Sequence, residues 1–228
     1  MRFKQLSLLI AGIVLSNTIF SQDKSIVQYA KISAKDFETQ KSSIIDDNSN
    51  AVILSDIGSI DFVGSKHRNW VSYVYRKHER IKIINKKGID LATVRIRLHV
   101  NESENDELDS LQGSTYNIEN GQLVETKLNV SDVFDEKINK NNLEKRFAMP
   151  GVKEGSIIEY SYVITSPRAG GIPSWSFQHV NYPCIYSDFT ITVPSMLSYL
   201  MIYHGQDSFA IRQTEKLKRK EYKMQVRV

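Results

Sequence analysis

Val94-Arg95-Ile96-Arg97-Leu98-His99-Val100 sets an apolar side chain at every second position and a basic or polar one between. Successive side chains of an extended strand point to opposite faces, so this period of two gives one dry face and one wet face. The same pattern recurs on both sides of the segment. Ile157 to Thr165 is apolar or aromatic at nearly every position, with Ile158, Tyr160, Tyr162 and Ile164 set against Ile157 and Val163. Such a strand is expected in the middle of a sheet, covered on much of both faces. Phe189-Thr190-Ile191-Thr192-Val193-Pro194 is a β-branched run ending at a proline, and it too reads as a strand. Near the end, Tyr222, Met224, Val226 and Val228 alternate with Lys223, Gln225 and Arg227. The chain is therefore expected to stop inside a strand whose next neighbour is missing, leaving an open edge.

Turn chemistry supports the same class. Asn120-Gly121, between Tyr116 to Glu119 and Gln122 to Leu128, supplies the two positive-φ residues of a type I′ hairpin. Asn85 to Gly88 is predicted to close a second hairpin, between Arg80 to Ile84 and Leu91 to Val100. Helical signals are short: Ser33 is a candidate cap for Ala34 to Gln40, and Ser131 for a turn through Lys137. Many short strands divided by turns, without long amphipathic crossover helices, predict an all-β chain: a mainly antiparallel β-sandwich with a few short helices.

Composition bounds the function. The 228 residues are 41% hydrophobic and 25% charged, the balance of an ordinary globular protein. Arg2 and Lys4 precede an apolar run from Leu6 to Leu15, and small polar residues follow to Ser21, the order of a secretory signal peptide. The run is about half the roughly 20 residues of a spanning helix, so cleavage near Ser21 is expected, with no stable membrane anchor. No cysteine follows the run that could carry a lipid. The expected organisation is a signal peptide over 1–21, a lead-in over 22–45 and a sandwich over 46–228 that is incomplete at its C-terminal end. The product would be exported, periplasmic or extracellular. Of the 30 Lys plus Arg, 28 remain after cleavage against 26 Asp plus Glu, and so mild an excess points to no nucleic-acid partner.

Cys184 is the only cysteine, which excludes a disulfide framework and zinc sites built from paired cysteines. As a nucleophile it would need a helix N-terminus or a nearby cation. His179 is close enough in sequence to approach it, yet a buried, inert thiol on a strand is the simpler reading. His67, His78, His99, His179 and His204 show no paired ligand spacing. His78-Glu79-Arg80-Ile81 begins like H-E-x-x-H, but Lys82 stands where the second histidine belongs. Asp46, Asn48 and Asn50 match three ligands of a calcium loop, but Ala51 replaces its glycine and Ile57 its bidentate glutamate, leaving a solvated turn. The acidic run Glu102, Glu104, Asp106, Glu107 and Asp109 reads as a wet loop. Eleven tyrosines with Trp70 and Trp175 suit a sandwich core before a ligand platform. Lys216, Lys218, Arg219, Lys220 and Lys223 fit an edge guarded against strand pairing, or a contact with an anionic envelope surface.

The stretch Phe147-Ala148-Met149-Pro150-Gly151-Val152-Lys153-Glu154-Gly155-Ser156-Ile157-Ile158-Glu159-Tyr160 resembles the hallmark of a bacterial family of unknown function. That family forms the N-terminal β-sandwich of exported proteins whose later part is a transglutaminase-like domain. Further pieces follow in family order: Ala51-Val52-Ile53-Leu54 with Gly58, Glu79-Arg80-Ile81-Lys82-Ile83-Ile84 with Gly88, and Thr115-Tyr116-Asn117-Ile118-Glu119-Asn120-Gly121. Trp175-Ser176-Phe177-Gln178 and Val193-Pro194 to Tyr199 complete the series. The resemblance implies that the catalytic Cys, His and Asp lie in the downstream domain, which this chain does not reach, and that Cys184 does not correspond to them. Catalytic, cofactor-binding and metal-binding residues are accordingly expected to be none, and the ligand is unknown. The expected role is a noncatalytic sandwich that packs against or presents a transglutaminase-like domain in cis or in trans. A module binding an envelope glycan or peptide is the alternative, and a cysteine enzyme using Cys184 the distant one.

Overall fold

The alternating segments become strands where the pattern marks them. Among the described residues these are β1 (Ala51–Gly64), β2 (Val71–Ile83), β3 (Thr93–His99), β4 (Glu107–Glu119), β5 (Gln122–Lys127), β6 (Phe134–Asn139), β7 (Asn142–Ala148), β8 (Ile157–Ser166), β9 (Ser187–Pro194), β10 (Ile211–Leu217) and β11 (Glu221–Arg227). The computed structural model describes residues 28–38, 42–46, 48–64, 71–205, 209–217 and 221–227. The signal segment over 1–21, part of the lead-in, His67, Trp70, Lys218, Arg219, Lys220 and Val228 lie outside the described residues. No helix among the described residues is long and apolar enough to cross a membrane.

An eight-stranded sheet runs β10-β11-β9-β1-β2-β8-β4-β5, and a three-stranded sheet runs β3-β7-β6. Val94, Ile96 and Leu98 of β3 and Phe147 of β7 pack with Ile81, Ile83, Ile158 and Tyr160 of the large sheet in one buried core. Each fully buried aliphatic side chain contributes about 1.5–3 kcal/mol. The fold is the expected all-β sandwich. β8 lies between β2 and β4, as its two apolar faces predict.

Several details depart from expectation. Asn85 to Gly88 closes no hairpin, because a 3₁₀ turn over Lys86–Ala92 carries the chain from β2 in the large sheet to β3 in the small one. A Cβ on Gly88 would lie 2.3 Å from the Asn50 carbonyl oxygen, so the turn packs too tightly against the start of β1 for a side chain there. The Ser131 turn is only Val130–Asp132, with the Asn129 side chain accepting from Ser131 N–H, and the following residues enter β6. β11 is not an open edge, since it pairs with β10 on one side and β9 on the other. Its wet face is not wet either: Gln225 is buried and donates to Asp188 at 2.9 Å, and Arg227 Nε lies 2.5 Å from the same carboxylate. The other turns behave as their residues dictate. Asn120 and Gly121 adopt φ of 51° and 77° between β4 and β5, and Gly151 and Gly155 take φ of 64° and 82° before β8.

β9 pairs parallel to β1, the one parallel ladder of the large sheet among the described residues. Since β8, β2 and β1 alternate in direction, β8 and β9 run the same way. A parallel pair cannot be joined by a tight turn, so residues 167–186 must return along the sheet. They do so over its core face, where Trp175 stacks on Phe189 with centroids 5.0 Å apart and donates from Nε1 to Ser187 at 3.1 Å. Gly58 makes room for it, because a Cβ there would sit 2.3 Å from the indole ring.

The opposite face of β2 and β8 is covered by the lead-in. Glu159, wholly buried, accepts from Arg80 at 2.8 Å and from the Ala30 N–H at 2.9 Å, and lies 2.7 Å from His78 Nε2. Arg80 also donates to the Gln28 carbonyl at 3.1 Å, and Lys82 to those of Phe37 and Glu38. Ala30 takes a left-handed φ of 61°, which turns its N–H into this cluster. The predicted helix after Ser33 ends at Phe37, as a single 3₁₀ turn whose Ser33 N–H and hydroxyl both donate to Asp36. Burial would raise the Glu159 pKa, but the hydrogen bond with His78, the Arg80 charge and the Ala30 N–H outweigh it and hold it below its ordinary value.

Glu159→Ala strands Arg80 beneath the lead-in and is expected to cost about 3–5 kcal/mol in urea denaturation. Because the folded pKa is depressed, the stability from ionised Glu159 is complete above the ordinary carboxylate range and is lost as pH falls through the folded value. Glu159→Gln should therefore flatten the acid limb of a stability-versus-pH curve. Gly58→Ala should push Trp175 off the sheet at a cost of about 1–3 kcal/mol. Tryptophan emission, measured in a Trp70→Phe background, should shift to the red.

Candidate functional site

Regular alternation along β1 would place Asp56 on the outer face. Instead the β1/β2 register shifts between Ile53 and Ser55, so that Ile53 opposes Ile81 and Asp56 opposes Glu79. One extra residue in one strand re-aims the side chains beyond it. The bulge turns Asp56 inward, opposite Glu79 on the core face, and both carboxylates are almost fully buried.

Lys77, two residues before Glu79 on the same face, answers them. Its Nζ lies 2.8 Å from Asp56 Oδ1, 3.0 Å from Oδ2 and 3.4 Å from Glu79 Oε2. Burial opposes the charge on Lys77, but the attraction of Glu79 and Asp56 prevails and raises its pKa above the ordinary lysine value. The ammonium also sits 4.6 Å from the centroid of the Trp175 ring. Tyr160 on β8, opposite Glu79, donates its hydroxyl to Glu79 Oε2. Burial, then the Glu79 charge, push the Tyr160 pKa well above its usual value, so the phenol acts as a donor.

His179 enters from the 167–186 crossover. Its Nε2 lies 3.8 Å from Glu79 Oε1 and 3.9 Å from Asp56 Oδ2, and its side chain is 35% exposed. One ligand atom from each of Asp56, Glu79 and His179 falls within 4.8 Å of the others, the only such group of metal-ligating side chains among the described residues. Cys184 lies nearby. Its backbone is bracketed by Gln178, whose Oε1 accepts from the Cys184 N–H and whose Nε2 donates to the Cys184 carbonyl. Burial and the negative charges of Asp56 and Glu79 push the thiol up to about 12, the opposite of what a reactive thiolate needs.

The other candidates disperse. His78 and Glu79, adjacent in the failed zinc motif, point to opposite faces of β2, one toward Glu159 and the other toward Asp56. His99 lies within 3.2 Å of Asn101 Nδ2, and His204 is exposed. Asp46 accepts from the Asn48 N–H at 2.9 Å, the bond of a turn, whereas Asn50 accepts from Asn85 beyond the end of β2 at 3.0 Å. In the acidic run, Asp106 accepts from the His99 N–H and pairs with Arg168, while Asp109 accepts from Thr165. Tyr73, Tyr75, Tyr116 and Tyr160 are buried, as the core reading of the aromatic residues has it. Lys216 sits exposed on the edge strand β10, whereas Lys223 lies on β11 inside the sheet. Spacing rules missed the Asp56, Glu79 and His179 group because its members come from two strands and a crossover. The available signal was Glu79 itself, a carboxylate at a core-facing position of an alternating strand.

No curated protein matches the chain. Among solved structures, a protein of Parabacteroides distasonis ATCC 8503 described as "a putative protease" shares the fold, with a TM-score of 0.54 and 13% identity over 78% of this chain and 35% of that one. An M1 zinc metallopeptidase from Deinococcus radiodurans aligns at a TM-score of 0.35 and 11% identity over 78% of this chain and 39% of that one, too loosely to bear on the site. This chain thus spans well under half the length of either. Residues 71–227, from the start of β2 to the end of β11, match a domain of unknown function with a solved structure, and the chain belongs to that family, DUF3857.

Proposed function

We propose that this chain is a noncatalytic, exported β-sandwich module that packs against or presents a transglutaminase-like domain, in cis or in trans. The observation that carries this reading is the stretch after β9. Met196, Leu200 and Ile202 are 66%, 85% and 70% exposed. Between them Leu197 packs on the core, and Tyr199 lies tilted against Phe62 with ring centroids 5.5 Å apart and donates to the Ala169 carbonyl at 2.6 Å. Anchored side chains thus hold their apolar neighbours out in water, which suits a surface completed by another domain. Val180, fully exposed on the crossover, adds to the unburied apolar surface on the segments flanking β9. The Parabacteroides protein supports the modular part of the reading, since a sandwich of this fold forms about a third of a longer chain there.

A glycan- or peptide-binding module is the second reading. It is favoured by an open depression of about 410 Å³ lined by Met201, Tyr203, Arg212, Gln213, Thr214 and Met224, where the Arg212 guanidinium lies 4.4 Å from the Tyr203 ring centroid. Such a surface presents both a ring face and donors to an extended ligand.

The two readings separate in one experiment. The chain is mixed with a purified transglutaminase-like domain from the same genome, and association is followed by sedimentation. A Leu200→Asp, Ile202→Asp double variant should weaken the complex about tenfold or more while its own stability changes by under about 0.5 kcal/mol per site. No association, or association indifferent to this pair, defeats the docking reading. A loss of peptidoglycan-fragment binding on Arg212→Ala would move the function to the depression. Cys184→Ser should leave the activity of any catalytic partner unchanged, and a thiol reagent should label Cys184 only as the chain unfolds. Rapid labelling of the native protein would revive the cysteine-enzyme reading.

A further inference from the structure

Asp56 and Glu79 oppose each other across β1 and β2 and are 2% and 3% exposed. Like charges directly opposite on paired strands destabilise a sheet, and the low dielectric of a core sharpens the repulsion. Lys77 supplies one positive charge against these two negative ones. Asp56 Oδ1 is fully buried and, although Lys77 Nζ lies 2.8 Å away, accepts no directed hydrogen bond. From the other side the His179 imidazole points its Nε2 at both carboxylates.

We propose that Asp56, Glu79 and His179 bind a divalent first-row transition metal of the zinc class, with Lys77 as the cation that holds the two carboxylates when the metal is absent. One imidazole nitrogen and two carboxylate oxygens suit zinc, whereas calcium and magnesium take oxygen sets. Nitrogen–oxygen separations of 3.8 and 3.9 Å exceed the spacing around a tetrahedral zinc ion by roughly half an ångström, given bonds of about 2.0–2.1 Å. The strands fix the carboxylates, and His179, on the crossover and partly exposed, supplies the closing movement. Its solvent side is where a water completes the coordination. Lys77, displaced from Asp56, keeps the face of Trp175 as a partner.

The test uses the full chain, freed of metal by dialysis against a chelator. Zinc is titrated calorimetrically at neutral pH, and cobalt is added in parallel for its visible absorption. Expected are one equivalent of zinc, a cobalt spectrum of tetrahedral intensity, and an affinity lowered about tenfold or more by His179→Ala. His204→Ala, a change to an exposed histidine outside the cluster, should leave both unchanged. Lys77→Met removes the competing cation, so its Tm should be low without metal and should rise more on adding zinc than that of the unaltered chain. Absence of stoichiometric zinc binding overturns the proposal. So does binding that His179→Ala leaves intact, which would put the ion elsewhere, or a Tm of Lys77→Met that ignores zinc.

Discussion

The Lys77 ammonium, lodged between Asp56 and Glu79 on the core side of the large sheet, is the interaction around which the centre of this sandwich is arranged. Two buried carboxylates on neighbouring strands could not share one face without it, since an unpaired buried charge costs several kcal/mol. The arrangement needs the bulge in β1, which brings Asp56 inward. It also needs the absence of a side chain at Gly58, which lets Trp175 lie against the sheet and shelter the ammonium. Glu79 is tied from a third strand by Tyr160, so β1, β2 and β8 meet at one polar knot inside a layer of aliphatic and aromatic side chains.

β2 carries a second charge system on its other face. Alternation sends Lys77 and Glu79 one way and His78 and Arg80 the other, where they meet Glu159. A strand charged on both faces and covered on both is tolerable only if the buried charges are partnered. The crossover covers one face and the lead-in the other. The lead-in holds by main-chain groups, through the Ala30 N–H and the Gln28 and Lys31 carbonyls, and by the Tyr29 side chain, whose ring lies 5.8 Å from that of His78 and whose hydroxyl lies 3.3 Å from Ser114 Oγ.

Strand positions were legible because a half-buried strand must alternate, and β3 and β8 declare themselves in this way. The hairpin at Asn120-Gly121 was legible because few residues accept two positive φ values in succession. Pairing was not. Asn85 to Gly88 looks like a hairpin turn, yet the 3₁₀ turn over Lys86–Ala92 changes sheets, and nothing local distinguishes the two outcomes. β11 read as an open edge because alternation reports faces and says nothing of neighbours. Gln225 shows the remaining gap: a polar residue at a wet position is buried once Asp188 supplies a partner from a distant strand. The Asp56, Glu79 and His179 group was harder to read, since alternation continued from Ile53 puts Ser55, Ile57 and Ser59 in the core, whereas the bulge puts Asp56, Gly58 and Ile60 there, and only Glu79 gives a local sign of buried charge.

The parallel ladder between β9 and β1 explains where chemistry can reside in this fold. Because the link between β8 and β9 cannot be a tight turn, it is a long irregular segment laid across a rigid sheet. A second irregular segment leaves the far end of β9. Together they carry His179, the exposed Val180, and the projecting Met196, Leu200 and Ile202. Strands fix the groups that must not move, Asp56 and Glu79 among them, and the segments around β9 supply the groups that can. Binding residues commonly occupy loops positioned by a rigid scaffold. Here the scaffold reaches into the site, because the sheet contributes two buried carboxylates and the crossover places the imidazole over them. A partner seated on the apolar stretch after β9 and an ion held beneath the crossover would act on segments joined through a single strand, and coupling between them would require no change in the rest of the sandwich.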